Sequence, residues 1–182
     1  MERIIKTVTA DEMNSTLDFV ERVFTDSEGE ESGKLVRSLL AEIRSKEFYV
    51  PALDLIMVNE HGEILGHVLF SRFHIEGKHE NELLLLSPVS VKTEYQRQHI
   101  SKELIEYGLG KARDLGYTLC MVEGNPRNYR SRGFVRSADY GILADESVGL
   151  PHPDCLMIQE LVPGALEGVH GYINYSMYES LR

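Results

Sequence analysis

Residues 82–124 constrain the fold more than any other part of the chain. An apolar run, ELLLLSPVSV, leads through the polar turn EYQRQH into an amphipathic stretch, and a second apolar run, YTLCMVEG, follows. Apolar runs of this kind suit strands covered on both faces. Between them Ile100, Leu104, Ile105, Leu109, Ala112 and Leu115 recur at helical spacing. The segment therefore predicts a strand–helix–strand crossover at the centre of a sheet. Pro88 lies inside the first run. Proline cannot donate to a ladder, so it marks a bulge or a place where pairing stops.

The flanking sequence supplies the rest of an α+β architecture. Residues 4–8 read as a strand, and Thr9 with Glu12 three residues on forms a capping-box pattern ahead of a helix bearing Met13, Leu17, Val20 and Phe24. The acidic, glycine-bearing segment TDSEGEESGK, residues 25–34, reads as a loop, with a second helix over residues 34–44. Residues 53–59 and 64–76 form a hairpin around the turn EHGE. Beyond the crossover come a short helix or turn (NPRNYRSRGF), an irregular insert, a strand (CLMIQELV) and a tail rich in glycine and tyrosine. No repeat or long linker divides the 182 residues, which read as a single domain, 1–182, with its core at 53–137 and a C-terminal strand and tail at 155–182.

Charge excludes some functions. The net charge of −10 disfavours general nucleic-acid binding, which needs a positive surface. The N-terminus carries no apolar signal core and no 18-residue apolar run occurs, so no membrane association is expected. Cys120 and Cys155 make no metal spacing and read as reduced core residues of a cytoplasmic protein. The seven histidines, His61, His67, His74, His79, His99, His152 and His170, form no H-x-x-x-H or H-E-x-x-H pattern, and G-x-S-x-G is absent, so neither a metal nor a serine nucleophile is expected.

The turn before the central helix is a generic anion site. The first turn of a helix leaves amides unpaired, and its dipole adds positive partial charge. Glycines ease close approach, yet the donors are amides that every residue except proline carries. No proline occurs between Glu94 and Lys111, and Arg97 and Lys102 add cations. The plain alternative is a solvated strand–helix connection.

These residues carry a family likeness. LLLLSPVSVKTEYQRQHISKELIEYGLGKARDLGY resembles the acetyl-CoA-binding core of the GNAT acetyltransferases, in which a strand runs into a loop of the form Q/R-x-x-G-x-G/A and then a helix. Gln96 matches the first position, while His99 and Ser101 stand where the family has small residues. CMVEGNPRNYRSRGF resembles the family's second signature, G-D-P-x-x-Y-x-x-x-G-F, through Gly124, Asn125, Pro126, Tyr129, Gly133 and Phe134. That segment, the GKLVRSL stretch and the tail are most like the YhbS-like subgroup.

The resemblance implies a mixed central sheet splayed between two parallel strands, flanked by helices: the acyl-CoA N-acyltransferase fold. It implies acetyl-CoA as co-substrate, with pantetheine pairing along Val89, Ser90 and Val91, whose amides could polarise the thioester carbonyl. The pyrophosphate would sit on the loop of Gln96, Arg97, Gln98, His99, Ile100, Ser101 and Lys102. Asn125 and Arg127 would face the cofactor. Tyr129 matches the tyrosine that protonates the leaving thiolate, the alternative being a packing residue. The residues at the family's usual glutamate, Leu83 to Leu86, offer no carboxylate; Glu123 is the candidate base, the alternatives being a loop-edge charge or a water relay.

Expected partners are a small-molecule or peptide amine and, as a candidate, a second copy of the chain. An acidic rim from residues 25–31 would favour a cationic acceptor. Two functions follow: an N-acetyltransferase, or a non-catalytic acyl-CoA-binding module whose loop has drifted, the latter suggested by His99 and Ser101.

Overall fold

The computed structural model describes residues 2–182. In chain order the elements are β1 (Arg3–Thr7), α1 (Met13–Glu28), α2 (Glu30–Arg44), β2 (Asp54–Asn59), β3 (Ile64–Arg72) and β4 (Leu83–Val91). There follow α3 (Ile100–Asp114), β5 (Leu119–Glu123), α4 (Pro126–Arg130), β6 (Val135–Arg136), β7 (Ile142–Ala144), β8 (Leu156–Glu160) and β9 (Gly171–Ile173). Seven strands form one sheet in the order β1-β2-β3-β4-β5-β8-β6, and β7 pairs in parallel with β9 outside it. The central crossover, β4–α3–β5, joins the parallel pair of an otherwise antiparallel sheet. This is the fold expected. No helix among the described residues is long and apolar enough to cross a membrane.

Two expectations change. Residues 25–34 are not a loop: α1 runs through Glu28 and α2 begins at Glu30, with only Gly29 between them at φ +104°. That backbone angle suits glycine and reverses the chain in one residue. Gly33 lets α2 approach α1, since a Cβ there would sit 2.0 Å from Thr25 Oγ1. The two glycines that suggested a loop thus serve a turn and a close contact. Glu30 and Glu31 fall in the first turn of α2, where the helix dipole favours them. The second change is that the irregular insert is tied down, because β7 finds its partner in the tail.

Both faces of the sheet are covered. Leu84 and Leu86 of β4 pack with Leu104, Ile105 and Phe134 on the α3 side. Leu83 and Leu85 pack with Val20, Leu40, Ile43 and the tail residue Tyr178 on the other. At Pro88 the ladder to β3 skips: Val68 opposes Val89 while Phe70 opposes Leu86, so β4 carries one extra residue, the expected bulge. On its other edge β4 pairs with β5 only at Leu83–Leu119, Leu84–Cys120 and Leu85–Met121. Beyond Leu85 the strands separate.

A buried charge cluster fixes α2 to the sheet. Asp54, fully buried in β2, accepts hydrogen bonds from Arg44 Nε at 2.8 Å and Tyr49 Oη at 2.7 Å, and His67 Nε2 lies 2.7 Å from its Oδ1. Burial alone would raise the pKa of this carboxyl. The His67 hydrogen bond and charge, followed by those of Arg44, outweigh that effect and hold it at about 2.

Candidate active site

The separation of β4 from β5 opens a cleft of about 510 Å³ on the α3 side. Val89 and Val91 form its strand wall, α3 begins at its end, and Tyr129 and Arg132 close the far side. Of the residues singled out in the sequence, Val89, Val91, Gln96, Arg97, His99, Ile100, Ser101 and Tyr129 line it. Ser90 turns to the opposite face and is buried, as alternation along a strand requires. Gln98, Lys102, Asn125 and Arg127 do not line it. The Gln98 carbonyl accepts from Arg3, and Lys102 reaches toward Glu106. Asn125 is occupied as the cap of α4, accepting the Arg127 amide at 2.9 Å.

The loop geometry explains the missing glycines. His99 is the cap residue of α3 at φ 65°, ψ 16°, and Arg97 has φ 64°. Both occupy the left-handed region, which histidine tolerates better than β-branched residues do. Among the described residues the backbone amides of residues 97–102 donate to no protein acceptor, and the first helical turn bond runs from Glu103 to His99. Gln96 Nε2 donates to the Val91 carbonyl at 3.3 Å, tying the loop back to the strand end. The result is a concave run of free donors at a helix N-terminus, suited to an anion such as a pyrophosphate.

Arg132 was not singled out in the sequence; of the arginines in RNYRSR only Arg127 was named as a cofactor residue. Arg132 Nη2 donates to Ser101 Oγ at 2.8 Å and its Nη1 to the Asn128 carbonyl at 2.6 Å. The guanidinium lies 5.6 Å from the centre of the Tyr129 ring, and Nε is buried without a partner. Three arginines in six residues look alike in sequence; only the turn after α4 selects the one aimed inward.

Tyr129 packs edge-on against Phe134, with ring centres 5.6 Å apart. Gly124 leaves room for it, since a Cβ there would approach Tyr129 Cε2 to 2.3 Å. Burial pushes the phenol pKa up, with the Arg132 charge opposing, so Tyr129 is a proton donor at neutral pH.

A second cleft, about 190 Å³, opens on the α2 side of the same gap. Glu123, at the end of β5, borders it and accepts a hydrogen bond from Tyr175 Oη at 2.8 Å. Burial, then the Glu123 charge, raise the Tyr175 pKa, so the phenol stays a donor. The acidic segment, residues 25–31, does not line this cleft; within it Glu28 accepts a hydrogen bond from Ser32 and Glu30 pairs with Lys34.

Comparison with known proteins agrees with this geometry. Residues 4–137 match the family model described as an acetyltransferase (GNAT) domain. The chain is 33% identical over 125 residues to the uncharacterized N-acetyltransferase YjhQ of Escherichia coli K12, covering 68% of each chain. It is 26% identical over 138 residues to the uncharacterized N-acetyltransferase YhbS of the same strain, covering 75% of this chain and 78% of the relative. The crystal structure of E. coli YhbS in complex with CoA superposes with a TM-score of 0.83 at 22% identity, covering 100% of this chain and 92% of that one. A GNAT acetyltransferase from Brucella melitensis in complex with acetyl-CoA gives 0.70 at 21% identity, covering 100% and 99%. With a family model matched over most of its length and a relative at this identity, the chain belongs to the GNAT family of N-acetyltransferases.

Proposed function

We propose that this protein transfers an acetyl group from acetyl-CoA to a primary amine by direct attack. One observation carries the reading: the free amides of residues 97–102 open α3 beside the unpaired edge of β4, with Arg97 and His99 supplying the left-handed backbone that glycines supply elsewhere. The pyrophosphate is held on these amides, the pantetheine along residues 89–91, and Arg132 adds charge opposite the loop. The non-catalytic alternative rests on His99 and Ser101. It loses its main support because His99 keeps the backbone conformation and Ser101 holds Arg132.

Acetyl-CoA supplies an acyl group on a thioester. Glu123 takes a proton from the incoming ammonium, the amine nitrogen bonds to the carbonyl carbon and the C–S bond breaks. Tyr129 gives its phenolic proton to the departing thiolate and regains one from solvent, to which Glu123 releases the proton it took. The nitrogen sheds its second proton to solvent and the product is an amide. Preorganised donors at the gap hold the carbonyl while charge develops on its oxygen.

Two readouts test this. Acetyl-CoA raises the melting temperature in a concentration-dependent way, as a ligand selective for the folded state must. Thiol release from acetyl-CoA depends on added primary amine. Absence of both from folded protein contradicts the proposal.

A further inference from the structure

We infer that the acetyl acceptor is a small primary amine on a compact apolar body of about one aromatic ring, held against a wall formed by the C-terminal tail. The inference rests on the transferase reading and names the class of its second substrate.

The α2-side cleft opens at the apex of the β4–β5 separation. Leu85, the last residue of β4 paired with β5, and Ser87 border it, as does Glu123 at the end of β5. It therefore reaches the gap from the face opposite the cleft lined by Val89 and Val91. Its walls are mainly apolar, with Leu39 and Ile43 from α2, Leu85 from β4, and Tyr178 and Leu181 from the tail, while Ser87 and Tyr175 add polar groups beside Glu123. Glu123 is the one charged side chain among the described residues lining it, and Tyr175 Oη fixes one of its carboxylate oxygens.

This chemistry selects in two ways. A volume of about 190 Å³ compares with the roughly 150 Å³ of a protein cavity that holds benzene, so a ring or branched alkyl group with a short arm fills it. One carboxylate accepts one ammonium. A polyamine would bury a second charge with no partner, and a free amino acid would bring its own carboxylate against apolar walls and Glu123. An aminoglycoside-sized acceptor does not fit.

The tail is anchored to form this wall. Glu42 on α2 accepts the backbone amides of Glu179 and Ser180 at 2.7 and 2.8 Å, and Lys46 lies 3.5 Å from Glu179. Those contacts place Tyr178 and Leu181 over α2. Leu181 sits at the mouth and is 39% exposed, so a change there alters the cleft without opening the core.

The test compares specificity constants for 2-phenylethylamine and isopentylamine with those for spermidine, lysine and glycylglycine. The apolar amines exceed the polar ones by at least about 30-fold, and Leu181→Asp removes roughly tenfold or more of that preference. Acetyl-CoA affinity by calorimetry is unchanged in the variant. A preference for spermidine or glycylglycine, or a Leu181→Asp variant with unaltered preference, overturns the inference. Saturation-transfer NMR of 2-phenylethylamine on the CoA-saturated protein separates this from failure of the transferase reading. Amine binding without any turnover contradicts the transferase reading and keeps the ligand class. CoA binding without amine binding contradicts the ligand class.

Discussion

The cleft on the α3 side of the β4–β5 gap is made largely of backbone donors from one continuous stretch, with Tyr129 and Arg132 added. The cleft on the α2 side is made of side chains drawn from α2, β4, β5 and the tail. The first is suited to a ligand whose recognised part is a charged phosphate, because amides and a helix dipole bind it whatever side chains they carry. The second is suited to a ligand read by shape and a single charge. One cleft can therefore tolerate a histidine where a glycine is usual, while the other changes its ligand with each residue that lines it.

The asymmetry can be broken from the α2 side with the largest effect. Arg44→Met leaves Asp54 buried without its arginine partner and lowers stability by about 3–5 kcal/mol, measured by denaturant unfolding. A loss below about 1 kcal/mol would show that the cluster does not anchor α2. The same carboxyl sets an acid limit. Its folded pKa is depressed from 3.8 to about 2, so its contribution is complete above pH 3.8 and disappears as pH falls toward 2. In Arg44→Met this acid-dependent loss shrinks.

Chemistry at the gap gives the next effects. Glu123→Gln lowers kcat by roughly 100-fold at neutral pH with acetyl-CoA affinity unchanged, because the carboxylate borders the cleft proposed for the acceptor and not the one proposed for the cofactor. Undiminished turnover would return the base role to a water relay. Tyr129→Phe removes only the proton donor and lowers kcat by about 10-fold or more with little change in affinity. Wild-type turnover in that variant would leave Tyr129 as a packing residue against Phe134. His99→Gly keeps the left-handed backbone without a side chain and leaves CoA affinity equal or slightly tighter if amides form the grip. A loss of about tenfold would mean that the side chain itself contacts phosphate.

Legibility in the sequence divides along the same line. The crossover, the bulge at Pro88 and the polar turn at the start of α3 were readable because each is local: period, proline chemistry and helix ends act within a few residues. Gly29 and Gly33 misled because a glycine-bearing acidic segment also fits a loop, and only the packing of α1 on α2 shows why both are glycine. The tail wall was not readable, since Glu42 meets residues 179 and 180 across more than a hundred positions. Asn125 was expected at the cofactor but is occupied by its helix cap, a role that its place just before Pro126 also signals.

On the proposed reading amides, not side chains, hold the phosphate at the start of α3. Calorimetric titration of CoA into Ser101→Pro, set against Ser101→Ala, tests it most directly. Both variants lose the hydroxyl that receives Arg132; proline at this second helical position also removes one N–H and restricts Ile100 before it, so the pair reads the loss of the amide together with that backbone constraint. Ser101→Pro binds CoA roughly tenfold more weakly than Ser101→Ala. Equal affinities would contradict that reading and move the phosphate away from this loop.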